Sequence, residues 1–270
     1  MRKINKDLSL IPTSLKPPTS DYFFNTNRPS KVCKTTHLRR QEIIDNGGYI
    51  DTDNYNSRYK YSDVKTALNN LYHKKCAFCE QRVEVPHVEH FRPKSIYYWL
   101  AYSWDNLLLA CSTCNSLKGN RFNIIGLQYS FVFNATNTYK NIHSSCAMLD
   151  NVEQPLLINP ETEDSSSDFI FDKNGGVRSN NLRVAHTINE CGLSRDDLKY
   201  QRKKILDDFK RDVESSFLEN SGDIDKLKAE IGAYIKQFFR RSQSSEESFT
   251  VFRRYGVENS WLNEIIKELN

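Results

Sequence analysis

Several things are missing from this 270-residue chain. No stretch is apolar for the length of a bilayer-spanning helix, which takes about 20 consecutive residues, so a channel or transporter is not expected. The opening residues, MRKINKDLSLIPTSLKPP, begin basic but hold no continuous apolar segment. They do not read as a secretory leader, and a cytoplasmic location is expected. There is no G-x-x-x-x-G-K-[ST] and no internal repeat, so the chain is not expected to hydrolyse nucleotides through a P-loop. Charge of one sign is scarce as well. A net charge of +4 is too mild to argue by itself for a polyanionic partner.

What is present fits a soluble, globular chain. Hydrophobic residues make up 38% and charged residues 27%, and the length is enough for one large or two modest domains with real cores. Seven cysteines are an odd number, and four of them form two C-x-x-C pairs. In a reducing compartment that usage favours metal over disulfides. Between Lys74 and Arg121 there are seven basic and four acidic residues, so most of the net excess falls there. A polyanionic partner fits that stretch, and so does a solvated basic face.

Organisation follows from punctuation and periodicity. Residues 1–61 read as an irregular and partly helical lead-in, with a helix over Thr36–Asp45 ended by Gly47-Gly48. Ser62 is placed to cap a second helix, whose Val64, Leu68, Leu71 and Tyr72 share one face. Residues 62–125 hold the dense motifs. Residues 126–190 read as a mixed insertion followed by a strand and tight turn, Phe169–Phe171 before Lys-Asn-Gly-Gly. Residues 191–270 read as helical, with Ser194 and Asp197 as a capping-box-like pair. An apolar stripe of Leu198, Ile205, Phe209, Val213 and Phe217 follows, then a break at Ser221-Gly222-Asp223. A second stripe runs from Ile224 to Phe238, Ser244 with Glu247 opens a third helix, and Trp261–Leu269 forms a fourth. Such stripes mark packing between helices. The basic rungs Lys199, Arg202, Lys203, Lys204, Lys210 and Arg211 alternate with acids, a mixture that suits a protein-docking face.

The chemistry concentrates between Cys76-Ala77-Phe78-Cys79 and Cys111-Ser112-Thr113-Cys114. Each C-x-x-C turns two thiolates toward one ion, and two pairs complete a tetrahedral zinc shell with no open position. That shell is structural. A redox dithiol is the rival reading. The 31 residues from 80 to 110 exceed an ordinary zinc-ribbon loop, so something is built between the knuckles. The stretch contains Val88-Glu89-His90-Phe91-Arg92-Pro93-Lys94-Ser95, then Tyr97-Tyr98-Trp99-Leu100, then Trp104-Asp105-Asn106-Leu107. Asn115-Ser116-Leu117-Lys118-Gly119-Asn120-Arg121 follows the second pair.

These motifs resemble HNH nucleases: an acid-His pair closing a first strand, an Asn in a second, and a metal-binding residue opening a helix. In finer detail C-x-F-C-E, V-E-H-F-R-P-K-S, Y-Y-W-L-A-Y-x-W-D-N-L-L, C-x-x-C-N-x-x-K-G and the later L-L-I-N-P-x-x-E-D resemble PtuB-type HNH proteins. Those are the nuclease components of Septu anti-phage systems and of some retron defence cassettes. The resemblance covers roughly residues 64–202. It implies an α+β fold with a ββα-metal core on a zinc-knuckle scaffold, flanked by helical segments. It also implies metal-dependent hydrolysis of nucleic acid phosphodiesters under the control of a PtuA-like ATPase partner.

Residue roles follow from the chemistry and the resemblance together. His90 suits a general base, because imidazole takes a proton near neutral pH. By resemblance Glu89 and Asn115 are ligands of a catalytic Mg²⁺ or Mn²⁺, for which oxygen donors are well suited. Asn106 matches the central Asn implied to brace the loop and orient the base; it could equally cap a turn. If Asn115 starts the helix, Lys118 and Arg121 form a phosphate-facing edge, and Arg92 and Lys94 could do the same from the loop. Each has a plainer reading: Glu89 as a salt-bridge partner, Lys118 and Arg121 as solvated surface. His87 is expected to be peripheral rather than a second metal ligand beside His90. Tyr97, Tyr98, Trp99 and Trp104 are expected to wall the small domain rather than stack on bases. Cys33, Cys146, Cys191, His143 and His186 are expected to pack or lie on the surface. A zinc-stabilised module that binds nucleic acid or protein without cutting is the alternative function.

Overall fold

The computed structural model describes residues 1–17, 22–25, 28–134, 139 and 141–269. Parts of the lead-in and of the 126–190 insertion lie outside the described residues. The elements run β1 (Tyr22–Asn25), β2 (Arg28–Lys34), α1 (Thr36–Asn46), α2 (Asp53–Asn56), α3 (Ser62–Tyr72), β3 (His87–His90), β4 (Leu107–Ala110) and α4 (Ser112–Lys118). They continue with α5 (Cys146–Glu153), β5 (Ile170–Phe171), β6 (Val177–Arg178), α6 (Leu182–Glu190), α7 (Asp196–Glu219), α8 (Ile224–Gln243), α9 (Thr250–Glu258) and α10 (Trp261–Leu269). The fold is α+β, and each of its three described sheets is an antiparallel pair. No described helix is long and apolar enough to cross a membrane.

Local chemistry explains most of the boundaries. Thr35 caps α1 by accepting the Leu38 N–H, and Gly47 ends it at φ +66°, a left-handed position that glycine fills without strain. Asn181 caps α6 by accepting from Arg183 and Val184. Asp172 Oδ1 takes the N–H groups of Asn174 and Gly176 and so shapes the β5–β6 turn.

Three expected caps fall elsewhere. The N-cap of α3 is Tyr61, with no side-chain bond, and Ser62 is the first helical residue. Arg195 precedes α7; Ser194 Oγ instead donates to the Val177 carbonyl, and Asp197 pairs with Arg195. The third C-terminal helix starts at Thr250 rather than near Ser244. Its opening is set from outside the segment, because Glu80 takes the Val251 N–H at 3.1 Å.

The core positions the site. Strand β3 pairs with β4 in the register His87↔Ala110, Val88↔Leu109, Glu89↔Leu108, His90↔Leu107. All four β4 residues are buried, as expected of a strand covered on both faces. One hydrophobic cluster joins Met1 and Leu15 of the lead-in, Leu68 of α3, Leu107–Ala110, Phe169 and the C-terminal Leu198, Phe209 and Phe252. Described parts of the lead-in are therefore packed into the core. Lys6 pairs with Glu161 at 2.7 Å, both side chains buried, and its Nζ also donates to the carbonyls of Trp104 and Leu107. A second cluster gathers Tyr97, Trp99 and Leu100 against Ile142, Cys146 and Leu149, so Tyr97, Trp99 and the buried Trp104 are wall residues.

Arg92 is a buried strut and not a surface contact. Its guanidinium, fully enclosed, meets Glu153 at 3.0 Å and Asp150 at 2.6 Å. Glu153 is as deeply buried and also accepts from the Tyr97 hydroxyl. Breaking such a pair strands a charge, so Arg92→Met is expected to lower unfolding free energy by about 3–5 kcal/mol. Arg92→Met/Glu153→Gln should recover part of that loss; urea midpoints at constant slope measure both.

Candidate active site on a zinc-knuckle scaffold

The two C-x-x-C turns converge. Among the described residues, Cys76, Cys79, Cys111 and Cys114 are the one group of at least three His, Cys, Asp or Glu side chains close enough to share an ion. Their sulfurs lie within 4.8 Å of one another, and Cys79 and Cys111 are 3.9 Å apart. Zinc–sulfur bonds of about 2.3 Å in a tetrahedron put sulfurs about 3.8 Å apart, so the donor set fits. All four side chains are buried and free of disulfides, and they form one centre rather than two separate dithiols. Hydrogen bonding from neighbouring thiols lowers the Cys111 pKa, while burial raises that of Cys76. A dication replaces those shared protons when it binds.

The knuckle sets where α4 begins. Cys111 is its N-cap and its sulfur accepts the Cys114 N–H. The helix thus starts at Ser112 and ends at Lys118, with Asn115 in its middle. Asn115 does not open the helix, and Arg121 lies beyond its end, exposed and paired with Glu190. The expected edge of Lys118 and Arg121 does not form.

Lys118 is fully buried. Its Nζ donates to Glu89 Oε1 at 2.7 Å and to the His90 carbonyl at 2.8 Å. Lys118 therefore cannot meet a phosphate at the surface, and one oxygen of Glu89 is engaged. Burial still raises the Glu89 pKa, partly offset by Lys118.

His90 closes β3 and borders a cleft of about 540 Å³. Its Nε2 lies 2.9 Å from the Ala101 carbonyl. A carbonyl only accepts, so Nε2 carries the hydrogen and Nδ1 keeps the lone pair. Tyr59 packs edge-on against the ring, centroids 4.5 Å apart. Burial pushes the imidazole pKa down to about 3. Asn106 does not line the cleft. Fully buried, it takes the Arg92 N–H on Oδ1 and donates from Nδ2 to the carbonyls of Arg92 and Leu100. These bonds close the 91–106 loop that presents Ala101 to His90, so Asn106 is a brace.

The cleft brings together His90, Glu89 and Asn115 with His87, Lys94 and Ser116. Lys94 is held by Asn56 and Asp51 and lies over the Tyr49 ring, 3.8 Å from its centroid. Tyr59, Lys60 and Lys65 form another part of the wall. Sequence reasoning missed these three, because nothing in TDNYNSRYKYSDVK marks it as a neighbour of His90. His87 is exposed within the cleft. Of the remaining cysteines and histidines, Cys146 and Cys191 are buried and His143 Nδ1 accepts the Trp104 N–H.

A family model described as HNH endonuclease matches residues 76–121. Septu protein PtuB of Bacillus mycoides strain KBAB4 is 31% identical over 170 residues, 56% of this chain and 53% of that protein. Septu protein PtuB of Bacillus thuringiensis is 36% identical over 97 residues, 34% of this chain and 35% of that one. Residues 76–121 thus match the HNH endonuclease family, and the chain is similar to PtuB proteins over part of its length. It spans about half the length, or less, of these curated relatives. The HNH match begins at Cys76, the first zinc-knuckle cysteine, and ends at Arg121, three residues past the end of α4.

Two outcomes are expected. Metal analysis of purified protein should find one zinc per chain, and stripping it with a chelator should abolish the near-ultraviolet circular dichroism of the packed aromatics. His90 should remain neutral in the fold from about pH 7 to below pH 5, whereas an unfolded histidine titrates near 6.5. The unfolded chain then binds the extra proton. Stability should fall as pH drops from about 6.5 toward about 3, and His90→Gln should flatten that part of the profile.

Proposed function

We propose that this chain is a metal-dependent HNH endonuclease that hydrolyses nucleic acid phosphodiesters. One observation carries the reading: His90, with its Nε2 hydrogen committed to Ala101 and its Nδ1 free to accept, borders the same cleft as Glu89 and Asn115. The Nδ1 lone pair takes a proton from water as the water oxygen bonds to phosphorus and the bond to the departing 3′ oxygen breaks. A phosphodiester beside the ring adds negative charge that favours imidazolium, raising a basicity that burial otherwise holds low. Tyr59 and the Ala101 carbonyl keep the ring from turning.

Glu89, through the oxygen that Lys118 leaves, and Asn115 would hold the divalent ion. With so few protein donors, Mg²⁺ or Mn²⁺ would keep several waters. When bound, the ion supplies charge stabilisation at the leaving oxygen. Lys60, Lys65 and Lys94 face the cleft and replace Arg92 and Lys118 as the phosphate contacts we favour. Similarity to Septu PtuB proteins supports a role in anti-phage defence inside the cytoplasm, with a PtuA-like ATPase as partner, in a Septu system or a retron-type cassette.

With Mg²⁺ or Mn²⁺, purified protein, alone or with its ATPase partner, is expected to cut DNA or RNA. His90→Ala should bind the same substrate but cut about 10²–10⁴-fold more slowly. Undiminished cutting by His90→Ala removes the base assignment, and binding with no cutting by wild type under any of these conditions favours the binding-module alternative. Lys60→Ala/Lys65→Ala should lower the slope of log affinity against log salt by about 1.8 on duplex DNA or about 1.4 on a single strand. The slope is read by fluorescence anisotropy.

A further inference from the structure

The C-terminal helices grip the zinc knuckle from two sides. Arg195, immediately before α7, directs Nη1 at Cys114 Sγ (3.4 Å) and Nη2 at the sulfurs of Cys79 (3.8 Å) and Cys111 (3.9 Å). The guanidinium is aimed by the Gly192 carbonyl at 3.2 Å and by Asp197, which holds Nε at 2.9 Å. The turn that carries it sits close against α4. Gly192 has φ +59°, a left-handed conformation that favours glycine, and a Cβ there would meet the movable tip of Leu117 at 2.4 Å.

The first knuckle is held from the other side. Glu80, next to Cys79, takes the Val251 N–H and the Thr250 hydroxyl at the start of α9. Lys75 Nζ donates to the Glu247 carbonyl at 2.9 Å, and the Arg82 N–H to Ser248 Oγ at 3.2 Å. Two helices, α7 and α9, therefore begin at residues bonded to the zinc turns. On the C-terminal side these partners, Arg195, Asp197, Glu247, Ser248, Thr250 and Val251, all lie outside the 76–121 HNH match.

We propose that Arg195 is the outer partner of the four-cysteine zinc site, and that zinc occupancy is coupled through it to docking of the C-terminal helices. Four thiolates around one dication carry a net charge of −2, buried at the base of the hairpin. The guanidinium offsets one of those charges, and its N–H groups contact three of the four sulfurs. Without it the buried anionic centre loses its neighbouring cation and three N–H···S contacts, and the ion leaves faster. In turn, zinc loss removes the anionic target of Arg195 and loosens the turn that starts α7. Lysine is a poor substitute, since one ammonium cannot span sulfurs as a planar fork does. Groups in the outer sphere of a metal site are worth about 10–100-fold in affinity.

The test has two arms that need no nuclease activity. In the first, zinc transfer from folded protein to a coloured chelator is timed. Arg195→Met should release zinc at least tenfold faster than wild type, and Arg195→Lys should fall between. Lys203→Met, on the exposed face of the same helix, should match wild type. A folded Arg195→Met variant that keeps its zinc as long as wild type overturns the proposal. In the second arm, amide hydrogen exchange of the wild type is followed as zinc is removed, which decides the matter even if the variant does not fold. Peptides spanning residues 191–206 and 247–256 should lose protection together with 76–82. Retained protection there while the cysteine turns open shows that the helices dock independently of zinc, and the coupling fails.

Discussion

Everything near the active site depends on four sulfurs meeting at one point. Cys76 and Cys79 lie before β3, Cys111 and Cys114 after β4, so the centre ties the two open ends of a hairpin whose other end is a long loop. A two-stranded hairpin alone is marginal in water. Zinc binding in small Cys/His sites is worth about 10–16 kcal/mol at neutral pH, as much as the net stability of a whole domain, about 5–15 kcal/mol. A zinc ion held there would supply that much free energy at the base, and the hairpin would have no need of a long ladder. Four residues per strand are enough to fix His90 opposite Leu107. The same geometry makes Cys111 the cap of α4, which carries Asn115 to the cleft.

Charge is used twice in this molecule, in opposite ways. Inside, Glu89–Lys118, Arg92–Glu153 and Lys6–Glu161 are buried pairs. Desolvation makes such pairs poor sources of net stability, but each joins segments far apart in sequence, and each orients something the site needs. Lys118 fixes Glu89 and the His90 carbonyl, and Arg92 anchors the loop that Asn106 braces. Outside, Lys60 of the lead-in, Lys65 of α3 and Lys94 of the loop give the cleft its positive wall. On α7 the basic rungs largely cancel. Lys199, Lys203, Lys204, Lys210 and Arg211 pair with acids on their own helix, while Arg202 is buried against the Gly175 and Leu193 carbonyls. That face offers little unpaired charge to a polyanion.

Legibility followed the range of the interaction. Helices α1 and α3 and the break between α7 and α8 were readable because glycines and apolar spacing act within a few residues. The zinc set was readable because C-x-x-C is a local geometry repeated twice. Tyr97, Trp99 and Trp104 are buried as wall residues, and the hydrogen bonds of Asn106 fit the brace that the resemblance implied. The start of α9 was not readable, because its cap is Glu80, about 170 residues away. For the same reason Arg92 and Lys118 looked like phosphate contacts: a basic residue beside a motif gives no sign that a carboxylate will be folded onto it.

By itself, then, the sequence determined the chemistry available: four thiols for a closed zinc shell, an imidazole beside a carboxylate, and two amides, Asn106 and Asn115, that the resemblance to HNH nucleases singles out. These are properties of side chains and of turns a few residues long, which every conformation of the chain shares. Only the tertiary structure decided which charges face water. It sent Arg92 and Lys118 inward to meet Glu153 and Glu89, and it brought Tyr59, Lys60 and Lys65 to the cleft of His90. Burial and long-range pairing arise from packing elements against one another, and no local pattern carries that information.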